Sequence, residues 1–136
     1  MTLVVDASAA VEYLLRTAVG RSLDGPLSSA TLVAPELLDA EVLAVLRRET
    51  LAGRLAAKRA AEAVEDLRDW DVVRLPHRPL LARAWELRHN VSAYDALYLA
   101  AAVLHDAALI TADGPLARAP GTGVVVHNVR AGPMRL

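Results

Sequence analysis

Apolar residues in this chain fall into short runs separated by longer segments with helical spacing. Leu3-Val4-Val5 is a β-branched run ending at Asp6, and from Ser8 the pattern turns helical over 9–16, with Val11, Leu14 and Leu15 on one stripe. The pattern predicts a looser helix over 21–29 and a second strand over 31–34. Pro35 then suits a first helical turn, where its missing N–H costs nothing. A helix over 36–51 closed by Gly53 and another over 56–70 read as a helical hairpin. A strand at 72–73, helices over 79–89 and 92–106, and strands at 109–111 and 124–126 complete the series.

Strands alternating with helices predict a parallel α/β sheet covered on both faces. In such sheets ligands bind beyond the carboxyl ends of the strands, where Asp6 and Asp113 stand. The 136 residues, 54% of them hydrophobic, are expected to form a single domain over 1–136, with 129–136 as a loose C-terminal tail. There is no cysteine, which excludes disulfides, zinc-thiolate sites and thiol nucleophiles, so any metal must be held by oxygen or imidazole. The longest apolar region, 96–104, is far below the roughly 20 residues of a spanning helix. The amino terminus lacks a basic region and a long apolar stretch, so neither a signal peptide nor a membrane span is expected, and the cytoplasm is the expected compartment.

The net charge of -1 announces no positive field for nucleic acid. If several carboxylates share one metal-filled pocket, however, the remaining surface is mildly basic. That charge is almost all arginine, with Lys58 the only lysine. Arginine suits phosphate contacts, although codon bias and solvated helix faces are the plainer explanation.

Four acids stand out because their surroundings are otherwise those of buried structure, and carboxylates are rarely buried without a partner. Asp6 leaves the first strand where a helix begins; a plain helix cap would look the same. Glu41 shares a helical stripe with Leu37, Leu38, Ala44 and Val45, which faces it inward, the alternative being an edge residue in water or paired with Arg48. Asp39 points elsewhere and reads as surface charge. Asp95 closes the capping pattern Ser92-Ala93-Tyr94-Asp95 at the entrance of an apolar helix, and a cap and a ligand are compatible. Asp113 follows a strand and precedes Gly114, as a simple turn would.

Four such coincidences in one chain point to a shared site. The segments Val4-Val5-Asp6-Ala7-Ser8-Ala9, Pro35-Glu36-Leu37-Leu38-Asp39-Ala40-Glu41-Val42, Ser92-Ala93-Tyr94-Asp95-Ala96-Leu97-Tyr98-Leu99-Ala100 and Leu109-Ile110-Thr111-Ala112-Asp113-Gly114-Pro115-Leu116 resemble, in order and over nearly the whole chain, the motifs of PIN-domain ribonucleases, specifically the VapC-type toxins of toxin-antitoxin pairs. The resemblance implies a three-layer α/β/α fold with a short, mostly parallel central sheet, flanking helices and a protruding helical hairpin. It also implies that Asp6, Glu41, Asp95 and Asp113 form an acidic site for Mg2+ or Mn2+, with Ser8 as a polar neighbour and Thr111 orienting Asp113. A fifth acid found in some relatives shortly after Asp113 is replaced here by Pro115, Leu116 and Ala117. The implied partners are an RNA substrate, a VapB-like antitoxin and a second copy in a homodimer. The implied inhibition places an antitoxin arginine against the acids, displacing metal.

The residue types fit this chemistry independently. Hard divalent ions prefer oxygen, and one or two of them can activate water and neutralise charge on a scissile phosphodiester without a protein nucleophile. The four histidines are scattered, and neither a Gly-x-Ser-x-Gly elbow nor a Gly-Lys-Ser phosphate loop is present. Val5-Asp6 also opens aspartyl-phosphate phosphotransfer domains, but Ala7 and Ser8 stand where a second Asp is needed. A PIN-like scaffold that binds RNA or protein without cutting is the non-enzymatic rival. Clustered carboxylates repel one another without a cation. Mg2+ or Mn2+ should therefore raise the melting temperature of the protein in a thermal scan, and an unchanged value counts against the shared site.

Overall fold

The computed structural model describes residues 1–134. Strands β1 (Thr2–Val5), β2 (Thr31–Pro35), β3 (Val72–Leu75), β4 (Ala108–Thr111) and β5 (Val126–Asn128) form one sheet in the order β3-β2-β1-β4-β5, with every pairing parallel. Leu3, Val4 and Val5 are all buried, as expected for a central strand covered on both faces.

Eight α-helices connect the strands among the described residues: α1 (Ala7–Leu14), α2 (Ala18–Arg21), α3 (Asp24–Ser28), α4 (Leu37–Leu51), α5 (Ala57–Asp69), α6 (Leu81–Glu86), α7 (Ala93–Leu104) and α8 (Gly114–Ala117). Parallel crossovers are right-handed, so the direction of travel across the sheet decides which face a helix covers. From β1 through β2 to β3 the chain moves one way, and α1, α4 and α5 pack together. From β3 it returns past β1 to β4, and α6 and α7 pair against the sheet, α7 lying on β1, β2 and β4. The result is the three-layer α/β/α arrangement.

The reversal leaves a switch point between β1 and β4, where the two connections depart to opposite faces. Crevices for ligands open at such points, beyond the strands' carboxyl ends. Asp6 follows β1 there and Thr111 ends β4.

Local chemistry accounts for the element ends. Asp6, Thr17, Ser92 and Asp113 each accept a backbone N–H at the start of a helix. Gly53, at φ +77°, takes the left-handed conformation that ends α4 and turns the chain into α5. Buried Ala60, Ala63 and Leu67 set α5 against its neighbours. Arg74 on β3 donates to Asp39 on α4 and to the carbonyls of Leu67, Trp70 and Val72, joining the hairpin to the sheet edge. Asp39, expected as ordinary surface charge, is thus an anchor for that guanidinium.

Besides the role of Asp39, several expectations change, among them Pro35, which ends β2 instead of opening a helix. The helix expected over 21–29 is two short helices, α2 and α3, because Pro26 has no N–H for the Ser22 carbonyl and its ring crowds that oxygen, so the chain breaks at Ser22 and Leu23 and Pro26 falls in the first turn of α3. The last strand is not 124–126 but Val126–Asn128, with Val125 exposed. The described part of the expected loose tail, 129–134, stays on the body: Val129 is buried, Arg130 donates to the Ala112 carbonyl and to Glu12, and Met134 packs on the core. The rest of that tail, 135–136, lies outside the described residues. Among the described residues no helix is long and apolar enough to cross a membrane.

Gly20 marks a close approach of α2 to α1. A Cβ there would stand 1.8 Å from the backbone oxygen of Glu12, whereas at Gly25 nothing lies within 4 Å. Gly20→Ala should lower unfolding free energy in urea by about 1–3 kcal/mol through overpacking, and Gly25→Ala should leave it nearly unchanged.

Candidate active site

The switch point is organised by one buried carboxylate. Asp6 is 4% exposed, and it accepts three hydrogen bonds: from Ser8 Oγ at 2.7 Å and Ala9 N at 3.0 Å on Oδ1, and from Thr111 Oγ1 at 2.5 Å on Oδ2. Each hydroxyl has a single proton, and both are directed at Asp6. The 3.2 Å approach of Ser8 Oγ to Thr111 Oγ1 is therefore packing of two oxygens whose protons are committed elsewhere.

The same hydroxyls accept from the following turn. Ser8 Oγ receives the Ala112 N–H at 2.8 Å and Thr111 Oγ1 receives the Asp113 N–H at 2.9 Å. Ser8 and Thr111 thus couple the end of β1 to the start of α8. Asp113 in turn caps α8 by accepting from Leu116 N at 3.2 Å.

Two further acids come from the helical layers. Glu41 projects from α4 and accepts the phenolic proton of Tyr98 on α7 at 2.7 Å. It does not pair with Arg48, whose ion-pair partner is Glu49 at 3.6 Å. Asp95 sits one turn before Tyr98, where its N–H is capped by Ser92 Oγ at 3.2 Å. Asp6, Glu41, Asp95 and Asp113 line one pocket of about 300 Å³, together with Ser8, Ala44, Arg48 and Tyr98. All four predicted acids meet there; Asp6 also fills the helix-cap role weighed for it, and Asp113, weighed as a turn residue, caps α8.

The electrostatics follow from the crowding. Burial raises the Asp6 carboxyl to about 6 and Asp95 adds to the rise, although the three donated hydrogen bonds oppose it. Asp95 is raised as well, first by its own burial and then by Asp113 and Glu41, against the Ser92 hydrogen bond. Burial and the Glu41 carboxylate push the Tyr98 phenol far up, so it stays a donor at any physiological pH.

Among the described residues, no group of three or more His, Cys, Asp or Glu side chains is gathered tightly enough to hold a metal ion by itself. The acids ring the pocket instead of closing on a point. That arrangement suits an ion that keeps several waters and takes one or two carboxylates directly, as Mg2+ does. The all-oxygen donor set fits hard cations, and an ion there would offset the repulsion that raises Asp6 and Asp95.

Tyr98 was not singled out by the sequence pattern, since in the run 96–104 it looks like one more core residue. Its place three residues after Asp95 put both on one helix face, which was the available signal. Lys58, the lysine that a phosphotransfer site would need, is exposed at the start of α5 and does not line the pocket.

The sign of the Asp6 shift gives a pH dependence. Folded Asp6 titrates near 6 against an ordinary value of 3.8, so its contribution to stability is full below about 4 and lost as pH rises through 6. In divalent-free buffer, wild type should lose roughly 2–3 kcal/mol relative to Asp6→Asn between pH 4 and 6.5, a range set by the two pKa values. Parallel denaturation curves for the two proteins across that range would refute the shift.

Comparison with known proteins places this geometry. Residues 3–121 match the PIN domain family. The chain is 43% identical to Ribonuclease VapC1 of Mycobacterium tuberculosis over 129 residues, covering 93% of this chain and 97% of that protein. It is 41% identical to Ribonuclease VapC9 of the same organism, covering 82% and 85%. The crystal structure of VapBC2 from Rickettsia felis, bound to a DNA fragment from their promoter, has the same fold at a TM-score of 0.67 and 14% identity, over 93% of this chain and 98% of that one. The chain is a PIN-domain protein and belongs to the VapC ribonuclease family.

Proposed function

We propose that the protein is a ribonuclease that hydrolyses RNA phosphodiesters at the four-carboxylate pocket, with Mg2+ or Mn2+, as the toxin of a VapBC-type pair. The observation that carries this is the convergence of Asp6, Glu41, Asp95 and Asp113, from four separate segments, on one pocket at the β1–β4 switch point. Membership of the VapC ribonuclease family supports the reaction and its substrate.

Asp6, Asp95, Glu41 and Asp113 would hold the ion, some of them through its waters. When bound, such an ion supplies a more acidic water and stabilises charge on the attacking and leaving oxygens. The chain's own residues do the rest. Ser8 and Thr111 lock the Asp6 carboxylate in place and tie the Asp113 backbone to it. Tyr98 steers one oxygen of Glu41 while the sheet and α7 keep the phenol dry. The open side of the pocket admits a phosphate.

A VapB-like antitoxin and a second copy of this chain are the proposed partners, and the cytoplasm, where RNA is met, the proposed compartment. The VapBC2 complex supports the first of these by family membership. Leu43, Leu51 and Val64, exposed across the hairpin, offer an apolar face suited to a partner peptide. An antitoxin arginine entering the acid pocket would account for inhibition by displacing the ion.

Cleavage of total cellular RNA, mapped by cut site, tests the reaction. Wild type with Mg2+ or Mn2+ should cut, chelation should stop it, and Asp6→Asn should lower the rate by about 100-fold or more, since even supporting residues of metal sites are worth 10–100-fold. Metal-independent RNA binding without cleavage would replace this reading with that of a scaffold.

A further inference from the structure

A polyanion approaching the pocket meets four carboxylates and, among the described residues lining it, a single cation, Arg48. Arg48 follows Glu41 by seven residues on α4, two helical turns later on the same face and about 10 Å further along the axis. Ala44 and Val45 form the wall between them. One stripe of α4 therefore presents a half-buried acid in the pocket, two uncharged residues and an exposed guanidinium.

The ion pair made by Arg48 is not one that would hold it in place. Glu49 stands 3.6 Å away and is already engaged by Arg54 through hydrogen bonds of 2.7 and 3.2 Å. Arg54 is also the larger cause of the depressed Glu49 carboxyl, with Arg48 following. The Arg48 side chain is 66% exposed, and a pair this long and this wet contributes little. By contrast Arg74 and Arg130 are tied to carbonyls and carboxylates of the fold. Arg48 can thus swing toward a ligand without removing a structural contact.

We propose that Arg48 is a substrate-binding residue that grips a phosphate of the RNA strand adjacent to the one hydrolysed. The inference rests on the ribonuclease reading and deepens it. The guanidinium fork matches two oxygens of a phosphate, and its position along α4 from Glu41 keeps it away from the acids where an ion would sit. Its positive charge counters the repulsion that the carboxylates exert on the incoming strand.

The test compares wild type, Arg48→Gln and Arg48→Lys in two assays. Binding of a short mixed-sequence single-stranded RNA is followed by fluorescence anisotropy over a range of salt, with each protein also carrying Asp6→Asn so that nothing is cut. Cleavage kinetics are measured without that change. Arg48→Gln should weaken binding about tenfold, the low end for a charge-assisted hydrogen bond, and flatten the salt slope by about 0.7, one single-strand phosphate contact. KM should rise with kcat nearly unchanged, and the Mg2+-induced rise in melting temperature should be kept, which separates a lost substrate contact from a damaged pocket. Arg48→Lys should keep the slope and recover part of the affinity, since its ammonium lacks the fork. Equal slopes and equal KM in all three proteins overturn the inference and leave the ribonuclease reading intact. An Arg48-dependent slope without any cleavage overturns the ribonuclease reading and keeps the phosphate contact. Absence of both binding and cleavage overturns both.

Discussion

The structure depends on the burial of the Asp6 carboxylate between two parallel strands. A charged oxygen pair in that position would be untenable in an apolar core, and here three donors meet it from Ser8, Ala9 and Thr111. Because Thr111 comes from β4 and Ser8 from α1, satisfying one carboxylate aligns β1, the first turn of α1 and the end of β4 together. The same hydroxyls then accept the Ala112 and Asp113 N–H groups, so the position of a second acid follows from how the first is satisfied.

That constraint has an electrostatic cost which the site uses. Hydrogen bonds alone would hold Asp6 below the usual carboxylate range, yet burial and Asp95 carry it to about 6. Asp95 feels Asp113 and Glu41 in turn, so it is the acid through which the others interact. A cation in such a pocket would offset the repulsion among its acids, and the lack of a three-ligand cluster among the described residues would suit an ion that keeps much of its water. Tyr98 contributes a neutral donor to Glu41, which keeps that side chain directed at the pocket without adding charge.

The hairpin and the carboxyl-terminal segment support the same end of the sheet. Arg74 fastens α4 and the end of α5 to β3, and α4 carries Glu41 and Arg48 on one stripe. Arg130 reaches the Ala112 carbonyl, next to Asp113, and Glu12 on α1, so the segment after β5 braces the turn that presents the fourth acid. Gly132 and Pro133 make this segment look loose in sequence, while the anchoring comes from the Arg130 side chain, buried Val129 and Met134 packed on the core.

By itself the sequence determined the alternation of strands and helices, the hairpin, and the four acids at strand ends and helix entrances, because hydrophobic period and capping chemistry are local properties of the chain. It also carried the family resemblance that relates those acids to one another. Only the tertiary structure decided that β1 and β4 are neighbours, that the final strand begins at Val126 and not Val124, and that Glu41 takes the Tyr98 hydroxyl in place of Arg48. Strand order, register and side-chain partners arise from contacts between residues far apart in the chain. Tyr98 and Glu41 are separated by 57 positions, and Asp6 and Thr111 by 105. No local period encodes such distances, whereas the packing of α4 against α1 and of α7 against the sheet resolves them.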